Sequence, residues 1–125
     1  MVLKSQLGEI RASELPQLLE RKATKLLDDF CIRSANDKYQ PRLLRYRIES
    51  RQIYLYEIRR ILSDPDNHRE LPMAKIRFTP ELNQWSLHHQ KGEYWQIYLN
   101  TPPTLDFAKL LGTIKDDPMG YFWQE

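Results

Sequence analysis

RLLRYRIESRQIYLYEIRR, residues 42–60, is the stretch whose alternation decides the fold. In its first half Leu44, Tyr46 and Ile48 point one way and Arg45, Arg47 and Glu49 the other, the period of a half-buried strand. Ser50-Arg51 lies at a turn, although it is not one of the glycine-type pairs that close two-residue hairpins. The second half is apolar on both sides, with Ile53 and Leu55 on one and Tyr54, Tyr56 and Ile58 on the other. A strand of that kind is expected to be central and covered on both faces. The hairpin carries six arginines, at 42, 45, 47, 51, 59 and 60, opposed only by Glu49 and Glu57. Its cations either meet an anionic partner or solvate one side of a sheet.

Working outward, residues 1–12 are expected to form a flexible N-terminal arm and residues 13–125 a single domain. Ser13 is the expected N-cap of a helix from about Glu14 to about Arg33, with Pro16 tolerated in its first turn. Leu15, Leu18, Leu19, Ala23, Leu26, Leu27 and Phe30 make its apolar stripe. After the hairpin, LSDPDNHRELP reads as a polar loop flanked by prolines. Three further strands follow. MAKIRFT places Ala74, Ile76 and Phe78 opposite Lys75 and Arg77. QWSLHH places Trp85 and Leu87 opposite Ser86 and His88. YWQIYLN places Trp95, Ile97 and Leu99 opposite Tyr94, Gln96 and Tyr98. PELN and QKGE are the turns between them, with Gly92 free to take positive φ. Short turns between consecutive strands imply an antiparallel meander. A second helix follows, with Thr104 as expected N-cap and Leu105, Phe107, Ala108, Leu111 and Ile114 as its apolar side. The closing PMGYFWQE is expected to dock its aromatics on the core, since an exposed run would invite aggregation.

The expected architecture is therefore α+β: an N-terminal helix, a five-stranded antiparallel meander and a C-terminal helix. Leu44, Tyr46, Ile48, Ile76, Phe78, Trp85, Leu87, Trp95, Ile97 and Leu99 form the face that packs on the first helix. The opposite face is basic and partly aromatic.

A chain of 125 residues can bury a core without disulfides or metals. Its net charge of +2 does not by itself mark a nucleic-acid protein. The charge is uneven, however: about +5 over residues 1–62 and about −3 over residues 63–125. Cys31 is the sole cysteine, which excludes an intramolecular disulfide and fits a reducing compartment. The opening residues lack the apolar run of a signal peptide, and no apolar stretch is long enough to span a bilayer. A cytoplasmic protein with no membrane partner is expected.

The order of elements, with YRIESRQIYLYEIRR, AKIRFTPELNQWSLH, GEYWQIYL and DDPMGYFWQE, resembles a small bacterial family catalogued as domain of unknown function 3024. The likeness runs from about Leu18 onward. It is carried by Tyr46-Arg47-Ile48-Glu49, Leu55-Tyr56-Glu57-Ile58-Arg59, Ala74-Lys75, Trp85, Trp95 and the aromatics after Asp117. His88 and His89 depart from the family pattern, which is denser in aromatics there. The resemblance implies a compact bacterial domain and carries over no catalytic residue.

The chemistry-bearing residues make no catalytic constellation. Cys31 lies beside the apolar side of a helix, the setting of an inert thiol. His88 and His89 are neighbours on a strand and face opposite ways, so a regular strand cannot aim both at one metal. His68 stands alone. DPDNHRE lacks the glycine and the distal glutamate of a calcium loop. There is no phosphate-binding glycine loop. No cofactor and no metal are expected. An enzyme using Glu57 or His88 as acid or base has the least support, because neither has a paired group at catalytic spacing.

The candidate binding face is Arg45, Arg47, Lys75 and Arg77, joined by Tyr94 and Tyr98. Cations that track phosphates among rings that stack on bases are the ingredients of single-strand nucleic-acid binding. Alternating Arg and Lys also simply keeps a sheet soluble. The residues thus point first to a non-enzymatic module for nucleic acid or another anionic ligand. The alternative is a protein-interaction or homodimerisation module built on Tyr54, Tyr56 and Ile58, which need cover from the second helix or another subunit.

Overall fold

A computed structural model describes residues 12–123. The arm expected over residues 1–12 therefore lies outside the described residues, apart from Ala12. The chain runs α1 (Gln17–Ala35), β1 (Leu43–Glu49), β2 (Gln52–Ile61), β3 (Asp64–Thr79), β4 (Gln84–Lys91), β5 (Tyr94–Ile97) and α2 (Phe107–Asp116). The strands form one antiparallel sheet in chain order, the expected meander between two helices. No helix among the described residues is long and apolar enough to cross a membrane.

α1 begins at Gln17, three residues later than expected, because Pro16 disfavours helical backbone at Leu15. Ser13 is not the N-cap. Its hydroxyl donates to Glu20 Oε1 at 2.6 Å and accepts from the Leu15 N–H. The segment around it is tied to the β1–β2 turn, with the Glu14 N–H on the Ser50 carbonyl at 2.8 Å. Ser50 takes a positive φ of 60°, which does the work of the missing glycine in the two-residue loop between Glu49 and Gln52. α2 likewise starts later than Thr104. Asp106 caps it, accepting from the Lys109 N–H at 3.2 Å. Thr104 instead exchanges two backbone hydrogen bonds with Trp85.

The stretch read as a polar loop, residues 62–72, is for the most part strand. β3 starts at Asp64, paired with Ile61 across a two-residue turn. Pro72 faces Tyr56, yet Ala74 faces Leu55, so Met73 is an inserted residue. Such a bulge is where a strand accommodates a proline, and it turns Met73 and Ala74 both into the core. At the tip of this long hairpin, Asn67 Nδ2 donates to Asp64 Oδ2 at 2.5 Å.

β5 is inverted relative to its expected faces. Lys91 pairs with Tyr94 across the loop Gly92-Glu93, with Gly92 at φ 63°. A two-residue loop keeps paired residues on one side, so Tyr94, Gln96 and Tyr98 follow the side of Trp85, Leu87 and His89. The Tyr98 N–H reaches the Leu87 carbonyl at 2.8 Å, and Tyr98 is 2% exposed. Trp95 and Ile97 emerge on the other face instead of in the core, and Leu99 is exposed.

Both helices pack on the same side of the sheet. Ala23 and Leu27 of α1 and Leu110, Leu111 and Ile114 of α2 meet Ile53, Leu55, Ile76, Phe78, Trp85 and Leu87 in one cluster. Ring centroids of Phe78 and Trp85 lie 5.1 Å apart, and Trp85 and Phe107 4.9 Å apart in an edge contact. Pairs of this geometry add about 0.5–1.5 kcal/mol each beyond their buried area. The C-terminal aromatics dock as expected. Asp117, at φ 41°, folds the chain back by accepting from the N–H groups of Tyr121, Phe122 and Trp123. Phe122 is fully buried, and Trp123 Nε1 donates to the Ile114 carbonyl at 2.9 Å. Tyr121 stacks on the buried His89 at 4.3 Å.

Candidate functional site

With both helices on one side, the other face of the sheet is left open by the described residues. Register defines it. Arg47, Tyr54, Lys75, His88 and Ile97 form one continuous row across the five strands. A second row holds Arg45, Tyr56 and Pro72, and a third holds Glu49, Gln52, Arg77 and Ser86. Alternation thus brings Arg45, Arg47, Lys75 and Arg77 together. Tyr94 and Tyr98 do not join them: Tyr98 is core, and Tyr94 lies on the helix side of the sheet, exposed at its end. The aromatics that do join are Tyr54, Tyr56 and Trp95. Alternation alone puts Trp95 in the core, and the signal in the sequence that places it on the open face is the two-residue length of the Gly92-Glu93 loop.

The Arg47 guanidinium lies 5.3 Å from the Tyr54 ring and 5.4 Å from the Tyr56 ring. The Trp95 ring sits 6.0 Å from Tyr54. Arg47 is also held by Glu49 at 2.8 Å and by Glu70 at 3.8 Å. Arg45, Lys75 and Arg77 take part in no ion pair among the described residues. Partial burial, and then the charge of Arg77, lowers the pKa of Lys75. Burial first, then Lys75, Arg77 and His89, pushes His88 down to about 4, so its imidazole is neutral at pH 7. Its Nε2 lies 2.9 Å from Ser86 Oγ. Beside the bulge the face dips into a hollow of about 270 Å³, walled by Tyr54, Tyr56, Pro72 and Trp95, with Arg47 and Glu70 at its rim.

A family model described as a domain of unknown function matches residues 15–124. The chain belongs to the DUF3024 family. The match takes in all seven elements of the fold. No curated protein and no solved structure matches the chain.

In this DUF3024 domain the remaining chemical groups are scattered. Cys31 sits partly buried on α1, where desolvation and then Asp28 push its pKa up to about 11. Tyr46 donates to Asp28 Oδ1 at 2.6 Å, and burial with that bond raises its pKa far above the phenol range. His68 is exposed on the β2–β3 hairpin, away from the buried His89. Glu57 is 5% exposed, and its Oε1 accepts from Arg42 at 3.1 Å and from Arg59 at 3.2 Å. Among the described residues no three His, Cys, Asp or Glu side chains group as metal ligands.

Proposed function

We propose that the open sheet face of this DUF3024 domain binds single-stranded nucleic acid. The observation that carries the reading is the row Arg47–Tyr54–Lys75–His88–Ile97, with Arg45 and Arg77 in the flanking rows. Tyr54, Tyr56 and Trp95 offer flat surfaces on which bases stack without regard to sequence. Arg45, Lys75 and Arg77, free of carboxylates among the described residues, are the groups for phosphates. Arg47 is tethered to Glu49 and Glu70 and acts mainly by orienting the two tyrosines. A neutral His88 in the row supplies a hydrogen-bonding edge without adding charge.

This is a binding module rather than an enzyme. Glu57 is engaged by two guanidinia, while His88 and Cys31 titrate well away from neutrality. A cytoplasmic setting accords with the lone thiol.

Fluorescence anisotropy of a labelled oligo-dT across a salt series tests the reading. Each phosphate neutralised on a single strand contributes about 0.7 to the slope of log affinity against log salt. Three cations give a slope of about −2, and Arg45→Ala/Arg77→Ala should reduce it to about −0.7. Trp95→Ala should weaken binding by about 1–3 kcal/mol while leaving the slope in place. Absence of binding at low salt, or an unchanged slope in the double variant, would make these cations a solvated surface. A concentration-dependent mass by light scattering, abolished by Trp95→Ala, would assign the face to a second copy of the chain.

A further inference from the structure

The hollow on the open face is lined by groups that choose among bases. At about 270 Å³ it is smaller than the roughly 300–1,000 Å³ of sites for drug-sized ligands, so it suits one ring system and not a run of them. Of its three aromatic side chains, Trp95 is the one with no cation over it among the described residues, because Arg47 lies by Tyr54 and Tyr56. A base that enters therefore stacks on the indole.

The polar groups decide which base. Arg47 and Glu70 stand at the rim, both exposed. Arg47 Nη1 and Glu70 Oε1 are 3.8 Å apart, an attraction without a hydrogen bond. Arg47 Nε is spent on Glu49 at 2.8 Å, whereas the Glu70 carboxylate accepts no hydrogen bond among the described residues. The pair so presents, side by side, one donor edge and two acceptor oxygens. The Tyr54 hydroxyl, a further donor, is spent on Gln52 Oε1 at 2.9 Å. Gln90, which pairs with Trp95 across β4 and β5, also lines the hollow. Its Nε2 donates to the Gly92 carbonyl at 3.2 Å. That carbonyl can only accept, so the amide has one orientation and Oε1 is left as an acceptor. Gln90 Oε1 is buried and meets no donor among the described residues. The open groups of the hollow are thus mainly acceptors.

Guanine has the matching edge. It offers O6, N1–H and N2–H in sequence, one acceptor followed by two donors. Cytosine offers one donor and two acceptors, and adenine one donor beside one acceptor. The single N–H of thymine sits between two carbonyls, which a carboxylate repels. We propose that the hollow takes one guanine of a bound strand, a specificity that rests on the single-strand reading of this face. Glu70 accepts from N1–H and N2–H, Arg47 donates to O6, and Trp95 stacks on the ring. Gln90 adds to the preference for a base rich in donors.

The experiment is fluorescence anisotropy of the full chain with labelled dT octamers that carry one central dG, dA, dC or deoxyinosine, beside all-dT. The dG octamer should bind about tenfold more tightly than all-dT, the discrimination of one two-pronged base contact. Deoxyinosine, which lacks only the N2 amino group of dG, should lose most of that advantage. In Glu70→Gln the ratio of dG to all-dT affinity should fall to about one, and a general change in affinity cancels from the ratio. Equal affinity for dG and dA would reduce the preference to purine stacking. A dG preference that survives in Glu70→Gln, or an undiminished one for deoxyinosine, would remove Glu70 from the contact. Each of these results overturns the proposal and leaves single-strand binding in place, whereas no binding of any octamer at low salt overturns both.

Discussion

Replacing Glu57 tests whether the fold depends on a charge buried beside its core. The carboxylate is 5% exposed, and the side chains of Arg42 and Arg59 are 11% and 26% exposed. Glu57→Gln keeps the shape and one acceptor but removes the charge from two hydrogen bonds. A charge-assisted bond contributes about 1 kcal/mol more than a neutral one, so the expected loss is about 2 kcal/mol. Glu57→Ala removes the acceptor altogether from both guanidinia. Breaking a buried pair costs about 3–5 kcal/mol, and the partial solvation of Arg59 sets the expectation near the lower end, about 3 kcal/mol. Urea unfolding followed by circular dichroism reads these values. With an m value of about 2 kcal/mol/M, the midpoint should fall by about 1 M for glutamine and about 1.5 M for alanine. Glu57→Leu/Arg42→Met replaces charge with apolar volume and should return to within about 1 kcal/mol of the parent. The reasoning is refuted if alanine costs less than about 1 kcal/mol, or if about 0.5 M salt removes the cost. Either result is the behaviour of an exposed pair.

Stability should fall with acid through His88. Its pKa is about 4 in the folded chain against 6.5 for a free histidine, so the unfolded chain binds the extra proton between those values. The contribution is complete above about pH 6.5 and is lost as pH falls toward 4. His88→Gln should flatten the urea midpoint over that window, and parallel profiles for parent and variant would exclude the effect. Tyr98→Phe should stabilise the fold by about 1 kcal/mol, because the buried Tyr98 hydroxyl has no hydrogen-bond partner among the described residues. A melting temperature lowered by the substitution would reveal a partner for that hydroxyl.

Much of the architecture is written in local pattern. The alternation of residues 43–49 and 74–78 is enough to gather Arg45, Arg47, Lys75 and Arg77 on one face, because side-chain direction in a strand has a strict period of two. Short turns make the meander, and the same period places Tyr54, Tyr56 and Ile58 beside those cations. What hydrophobicity alone could not place was β5. Tyr94 and Tyr98 on one side and Trp95, Ile97 and Leu99 on the other are nearly equal in apolar character, so bulk does not choose between the faces. The loop length does, and it exchanged Trp95 for Tyr98. The proline-rich hairpin misled for a related reason: proline argues against a strand only where every N–H is needed, and the Met73 bulge removes that need at Pro72.

The helix starts show the same division between local and distant causes. Pro16 sets the start of α1 through its effect on Leu15, a local rule. Thr104 lost its capping role because its backbone is taken by Trp85, nineteen positions earlier in the sequence. Sequence alone determined the class of the fold, the meander and the four cations of the open face, since each follows from steric rules acting over a few residues. Only the tertiary structure decided that both helices share one side, that Glu57 joins Arg42 and Arg59, and that a hollow opens beside the Met73 bulge. Those outcomes depend on which distant surfaces exclude water together, and no local period of the chain encodes that.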